Sequence, residues 1–295
     1  MKTDGIVTVS NAVNISGTTE QVTAALVTAG SLVVATSANI SLDDNPTISE
    51  LNAIAAKTDG VVTATLSADS LSNLGALTTA GTDVITITVN DGVSTVNAED
   101  LSALGGKSAG VVTVSNAVNI SGTTEQVTGA LVTAGTLVVA TTATVALDDN
   151  PTISELNAIA AKTDGVVTAT LSADSLSNLG ALTTAGTDVI TITVNDGVST
   201  VNAEDLSALG GKSAGVVTVS NAVNISGTTE QVTGALVTAG TLVVATTATV
   251  AIDDNPTISE LNAIAAKTDG AVTATLAANS LSVSYTHLTL PTTYH

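Results

Sequence analysis

The chain contains no Cys, no Phe, no Trp and no Arg, and it has only two Tyr in 295 residues. Without Cys there is no disulfide framework and no thiolate chemistry, and redox compartment is left open. Without Phe and Trp, which normally supply the largest buried areas of a core, any interior must be built in thin layers from Val, Leu, Ile and Ala. Positive charge is scarce as well: six Lys stand against 26 Asp and Glu, a net charge of −20. Such a surface repels a phosphate backbone, so nucleic acid is not expected as a partner. It favours solubility and can hold divalent cations loosely. No run approaches the ~20 apolar residues of a bilayer span, so membrane insertion is not expected. The start, Met1-Lys2-Thr3-Asp4-Gly5, lacks the apolar core of a signal peptide. What remains is a 44% hydrophobic chain rich in Thr, Ser, Gly and Asn, a composition suited to short strands joined by turns.

The dominant signal is internal repetition. Asp-Asp-Asn-Pro-Thr-Ile-Ser-Glu recurs unchanged around Pro46, Pro151 and Pro256, each 105 residues from the next. Residues 2–106 and 107–211 form two copies that differ only at Thr3/Ser108, Asp4/Ala109, Ile6/Val111, Ala24/Gly129, Ser31/Thr136, Ser37/Thr142, Asn39/Thr144, Ile40/Val145 and Ser41/Ala146. A partial third copy covers 212–282. Near identity of this kind is what recent tandem duplication leaves, and it points to length or valency rather than to a unique site.

Each unit divides again into four subunits, or rungs, beginning at Lys2, Ser31, Lys57 and Thr82 in the first copy. Alternation in Val61-Val62-Thr63-Ala64-Thr65-Leu66 and in Val84-Ile85-Thr86-Ile87-Thr88-Val89 predicts a strand with one aliphatic face and one hydroxyl face. A two-turn helix follows, opened by a capping-box pattern at Thr18-Thr-Glu-Gln21, Thr47-Ile-Ser-Glu50, Ser67-Ala-Asp-Ser70 or Asn97-Ala-Glu-Asp100. Gly60, Gly81 and Gly106 are expected to end the helices. The expected fold class is an α/β solenoid of stacked ~26-residue rungs, with a parallel sheet on one side and short helices on the back. Eleven rungs at ~4.8 Å per strand would run for about 50 Å. The alternative is an all-β solenoid in which the capping-box stretches are turns, supported by Gly75 and Gly105 inside the helical segments. A single rung has too little apolar surface to fold alone, so stability should come from neighbours.

The repeat stops after Ser282, and residues 283–295 hold both Tyr (Tyr285, Tyr294) and both His (His287, His295). The run Ser284-Tyr-Thr-His-Leu-Thr-Leu-Pro-Thr-Thr293 resembles translated sequencing-adapter read-through, and no function is assigned to it.

Catalytic chemistry finds little support. Gly106-Lys107-Ser108 and Gly211-Lys212-Ser213 imitate the end of a phosphate-binding loop, but Leu101 and Leu206 stand where its first Gly belongs. The Lys also follows a helix instead of preceding one. The only His residues lie in the tail, which removes a Ser-His-Asp triad. The pairs Asp43-Asp44, Asp148-Asp149 and Asp253-Asp254 read as solvated turns before a helix cap. They are also the only candidate metal ligands, for weak calcium binding with Asn45 and backbone oxygens. No other cofactor is expected, and no enzyme activity. The outward strand positions form a second candidate, a hydroxyl ladder of Thr63, Thr65, Thr86 and Thr88 in the first copy and Thr168, Thr170, Thr191 and Thr193 in the second. Thr8, Ser10, Ala35, Ser37 and Ala140 also read as outward. A Thr-x-Thr ladder resembles the ice-binding face of some β-solenoid proteins, although Thr is a good exposed-strand residue on its own account.

The stretch Leu-Asn-Ala-Ile-Ala-Ala-Lys-Thr-Asp-Gly-Val-Val-Thr-Ala-Thr-Leu at 51–66, with Asp-Leu-Ser-Ala-Leu at 100–104, resembles the repeats of giant surface proteins and repeat adhesins of marine bacteria. That resemblance implies an extracellular or cell-surface stalk or coat, exported by a signal outside this segment. Its partners would be other modules of the same parent protein, and its open end rungs would allow self-association.

Overall fold

A computed structural model describes residues 6–28, 33–136, 138–241 and 243–277. The tail from 283 and the first five residues lie outside the described residues. In the first unit the order is β1 (Val7–Thr8), β2 (Asn14–Gly17), α1 (Thr19–Leu26), β3 (Val33–Val34), β4 (Asn39–Leu42), α2 (Ile48–Ala55), β5 (Val62–Thr65), α3 (Leu71–Leu74), β6 (Val84–Val89), β7 (Thr95–Asn97) and α4 (Ala98–Gly105). The second unit repeats it as β8 (Val112–Val114), β9 (Asn119–Gly122), α5 (Thr124–Leu131), β10 (Val138–Val139), β11 (Thr144–Leu147), α6 (Ile153–Ala160), β12 (Val167–Thr170), α7 (Leu176–Leu179), β13 (Val189–Val194), β14 (Thr200–Asn202) and α8 (Ala203–Gly210). The third begins again with β15 (Val217–Val219), β16 (Asn224–Gly227), α9 (Thr229–Leu236), β17 (Val243–Val244), β18 (Thr249–Ile252), α10 (Ile258–Ala265) and β19 (Val272–Thr273).

The fold is α/β, and every described strand pair is parallel. Parallel neighbours need a crossover, and in most rungs a helix supplies it. The stretches that follow Thr18, Thr47 and Asn97 are helices, so the all-β alternative does not hold. The reason is visible at the caps. Thr18 Oγ1 accepts from the Gln21 N–H at 3.3 Å while Gln21 Oε1 accepts from the Thr18 N–H at 3.0 Å. Thr47 and Glu50 make the same reciprocal pair at 3.3 and 2.9 Å. Two of the helix's orphan donors are thereby satisfied in a segment only eight residues long.

Three sequence expectations change. The third helix is capped by Ser70, not Ser67, because the Asp69 N–H donates to the Thr88 carbonyl and the Asn90 N–H donates to the Asp69 carbonyl. Those bonds hold the segment extended as a bridge to the next rung, and α3 is left with four residues before its Gly75 cap. Gly81 does not end α3, whose C-cap is Gly75, and Gly60 does not end α2, whose C-cap is Ala56. The value of Gly60 is lateral: a Cβ there would run into the Ala38 carbonyl of the preceding rung. The strands are also shorter than six residues except for β6 and β13.

Those two long strands organise the sheets. Thr63↔Val84 through Thr65↔Thr86 pairs β5 with the first half of β6, whereas Ile87↔Val112 through Val89↔Val114 pairs its second half with β8. β7 meanwhile starts a separate ladder with β9. Once per unit, then, one ladder is handed to the next through a single strand, and β13 does the same between β12 and β15. Between strands and helices lies one continuous aliphatic core. Ile40, Leu51, Ile54, Ile85, Ile87, Leu101, Leu104, Ile120 and Leu131 are fully buried in it.

Candidate functional site

The acidic turns sit directly before α2, α6 and α10. Asp43 and Asp44 are exposed, but their main-chain and side-chain roles differ. The Asp43 N–H donates to the Gly17 carbonyl at 3.0 Å. Asp44 Oδ1 accepts from both the Thr19 N–H at 2.8 Å and the Thr19 hydroxyl at 2.5 Å. Thr19 opens α1, so Asp44 caps the helix of the rung before its own. Asp149 does this for Thr124 at 2.8 and 2.5 Å, and Asp254 for Thr229. The Thr hydroxyl first, then the backbone donor, hold the carboxyls of Asp44, Asp149 and Asp254 below the usual Asp range. Asp148 and Asp253 repeat the Asp43 main-chain bond, to Gly122 and Gly227. Among the described residues no group of three or more His, Cys, Asp or Glu is placed to hold a metal ion.

On the hydroxyl face, Thr63, Thr65 and Thr86 are exposed and Thr88 is half-buried, as are their counterparts Thr168, Thr170, Thr191 and Thr193. Register sets their neighbours. Thr65 stands beside Thr86 and Thr170 beside Thr191. Thr63 stands between Ser41 and Val84, and Thr88 beside Thr113, which is followed by Val139. The exposed Val84 and Val139 therefore interrupt the files. Ala35 and Ala140, read as outward from alternation, are buried. The chain turns there, the Ala38 N–H donating to Ala35 and the Ala143 N–H to Ala140, and a turn breaks the period of two.

Sequence reasoning passed over Asp83, Asp91 and Asn52, and it read Lys107 and Ser108 only as an imitation of a phosphate loop. Asp83 is 4% exposed, and its two carboxylate oxygens accept from the Val62 N–H at 2.8 Å and the Ala80 N–H at 2.9 Å. Asp91 Oδ2 accepts from the Leu71 N–H at 2.8 Å, at the first turn of α3. The Asn52 side chain bridges outward to the next rung, donating to the Ala76 carbonyl at 2.9 Å and accepting from the Thr78 N–H at 2.8 Å. Lys107 Nζ donates to the Gly75 carbonyl at 2.6 Å, where α3 ends. Buried Ser108 accepts from the Ile85 N–H at 2.8 Å. Lys107 and Ser108, the residues that imitate a phosphate loop, thus bind neighbouring main chain. Asp188, Asp196, Asn157, Lys212 and Ser213 repeat all of this in the second unit. An isolated Asp does stand one residue before each long Val-Ile-Thr-Ile-Thr-Val strand, but that position alone does not mark it as buried.

Because α3 and α7 are a single turn, each unit has an open notch beside them. The first is about 560 Å³ and is lined by Leu71, Gly75, Asp91, Asp100 and Lys107 among others. The second, about 550 Å³, is lined by the corresponding Leu176, Gly180, Asp196, Asp205 and Lys212. No helix among the described residues is long and apolar enough to cross a membrane. Comparison of the chain with protein-family models, with curated proteins and with solved structures finds no match.

Proposed function

We propose that this chain is a structural spacer: its strand–helix rungs coil as a solenoid that carries other modules of the same parent protein at an extracellular surface, in the manner of an adhesin stalk, without catalysis. The observation that supports this reading is the destination of the polar side chains. Asp44, Asn52, Asp83, Asp91, Lys107 and Ser108 all bond the main chain of another rung, as their counterparts do one unit later. Residues that could do chemistry hold rungs in register instead, and a repeat built that way works through length. A long acidic surface suits the same role by keeping the array soluble. Self-association through the end rungs would follow from their open strand edges.

The test is small-angle X-ray scattering of the chain with and without millimolar calcium, alongside sedimentation over a range of concentrations. A rigid rod of the same length in both conditions supports the spacer. A compact globule sinks it. Ordering that requires calcium would transfer the function to the turns at Asp43-Asp44 and their copies, and ice-growth inhibition would transfer it to the Thr face. Sedimentation independent of concentration would remove self-association.

A further inference from the structure

We propose that Asp91-Gly92 and Asp196-Gly197 are sites of spontaneous backbone isomerisation, through a succinimide to isoaspartate, and that the fold protects the other described Asp-Gly pairs from it. The sequence has Asp-Gly at 4–5, 59–60, 91–92, 164–165, 196–197 and 269–270, of which 4–5 lies outside the described residues. Reaction at such a pair needs the glycine nitrogen to reach the preceding Cγ, so it needs a free N–H and a peptide able to rotate. At Gly60, Gly165 and Gly270 neither is present. Their N–H groups donate to Thr58, Thr163 and Thr268 Oγ1 at 3.0, 2.9 and 3.0 Å, and the carbonyls of Ala38, Ala143 and Ala248 crowd them so closely that a Cβ at any of the three would collide.

Gly92 and Gly197 differ on every count. They lie in the turn that leaves β6 and β13, with φ of +66° and +65°, a conformation that glycine adopts without penalty. A Cβ at either would have nothing within 4 Å. Among the described residues neither N–H makes a hydrogen bond. The following residues, Val93 and Val198, are 94% and 92% exposed, as befits a loop tip open to chemistry.

In the reaction the Gly92 nitrogen gives up its proton and bonds to Cγ of the neutral Asp91 carboxyl; the Cγ–OH bond breaks and one water leaves. Water then adds to either ring carbonyl. Opening the bond to Cγ restores Asp91, and opening the main-chain bond leaves isoaspartate, with the peptide running through the former side chain. Nothing is oxidised or reduced. The product moves the carboxylate onto Cα and lengthens the main chain by one carbon, so Asp91 loses its bond to the Leu71 N–H and the third and fourth rungs lose a tie.

The experiment ages the full chain at neutral pH and 37 °C, natively and in denaturant, and maps isoaspartate by peptide mass spectrometry with an isoaspartate-specific methyltransferase as label. Several-fold more isoaspartate at Asp91 and Asp196 than at Asp59, Asp164 and Asp269 is expected in the native chain, with the difference lost in denaturant. Equal labelling of all the native pairs overturns the proposal, and so does absence of label at Asp91 and Asp196.

Discussion

Two junctions recur in the array, one between units and one inside each unit, and they solve the stacking problem differently. Where the fourth rung meets the next unit, β6 pairs with β8, β7 with β9, and α4 packs along α5 more extensively than the other described helix pairs within the unit. Small residues allow it: a Cβ at Gly129 would lie 3.0 Å from Ser102 Oγ, and one at Gly105 would run into the Thr136 carbonyl. Where the third rung meets the fourth, only half of β6 is available to β5 and the helix is one turn long. Here charged side chains take over: Asp83, Asp91 and Lys107 bond main-chain groups that a longer helix or strand would have satisfied. Backbone pairing and close packing hold one junction, polar staples the other. Buried donors must find an acceptor in either case.

The largest effect is expected at the stapled junction. Asp83→Ala removes the acceptor of two N–H groups, at about 1–3 kcal/mol for each buried donor left unpaired. Asp83→Asn, which keeps one acceptor oxygen, should recover part of that loss. Hydrogen exchange is the best readout, because the Val62 and Ala80 amides should lose protection while Val167 and Ala185, bonded to the untouched Asp188, keep theirs as an internal reference. Equal loss around Asp188 would mean that the array unfolds as one unit, and the contrast between junctions would have no energetic content. At the packed junction, Gly105→Ala pushes a methyl into the Thr136 carbonyl and should destabilise by ~1–3 kcal/mol through overpacking. An unchanged denaturation midpoint would show that α4 can slide, contrary to close packing.

Single strands and helix starts were legible in the sequence; the contacts that close either junction were not, and Gly105, which lies inside α4, had read as an argument against a helix. Alternation located β6 and β13 to the residue, and the Thr-x-x-Glu and Thr-x-x-Gln boxes located α1 and α2, because those signals depend only on local geometry. Asp83 carries no such signal. Its partners, Val62 and Ala80, belong to the rung before, and nothing local tells a buried carboxylate from a solvated one. The shortening of α3 was hidden for the same reason, since Ser67-Ala-Asp-Ser70 is capable of capping but is held extended by Thr88 and Asn90 of the next rung. At the acidic turns the sequence gave both residues one reading, a solvated turn before a helix cap. Only the stacking distance makes Asp44 a cap for Thr19.

A smaller effect tests the caps shared by both halves of the unit. Thr47→Ala should destabilise by about 1 kcal/mol, the usual value of an N-cap hydroxyl, seen as a lower melting temperature that Thr47→Ser restores. Acid should reach the same caps. Asp44, Asp149 and Asp254 are held below the ordinary 3.8, and Glu50, Glu155 and Glu260 below the ordinary 4.5, chiefly by the hydroxyls of their Thr partners. A carboxyl whose value is lowered by folding contributes stability that is complete above its unfolded value and is lost as pH falls through the folded one. Melting temperature should therefore be flat from neutral pH down to the ordinary carboxylate range and drop below it.

The smallest expected effect separates the two acids of one turn. Asp43 uses its main-chain N–H to reach Gly17, and Asn at that position keeps the N–H, so Asp43→Asn should change stability by no more than ~0.5 kcal/mol, as for an ordinary surface substitution. Asp44→Asn removes a charged acceptor from the first turn of α1 and should lower the melting temperature at neutral pH, with the two variants converging once acid has protonated Asp44. If Asp43→Asn were the more damaging of the two in calcium and neutral without it, the turn would be a metal site, and the division of labour between its two carboxylates would have to be redrawn around the ion.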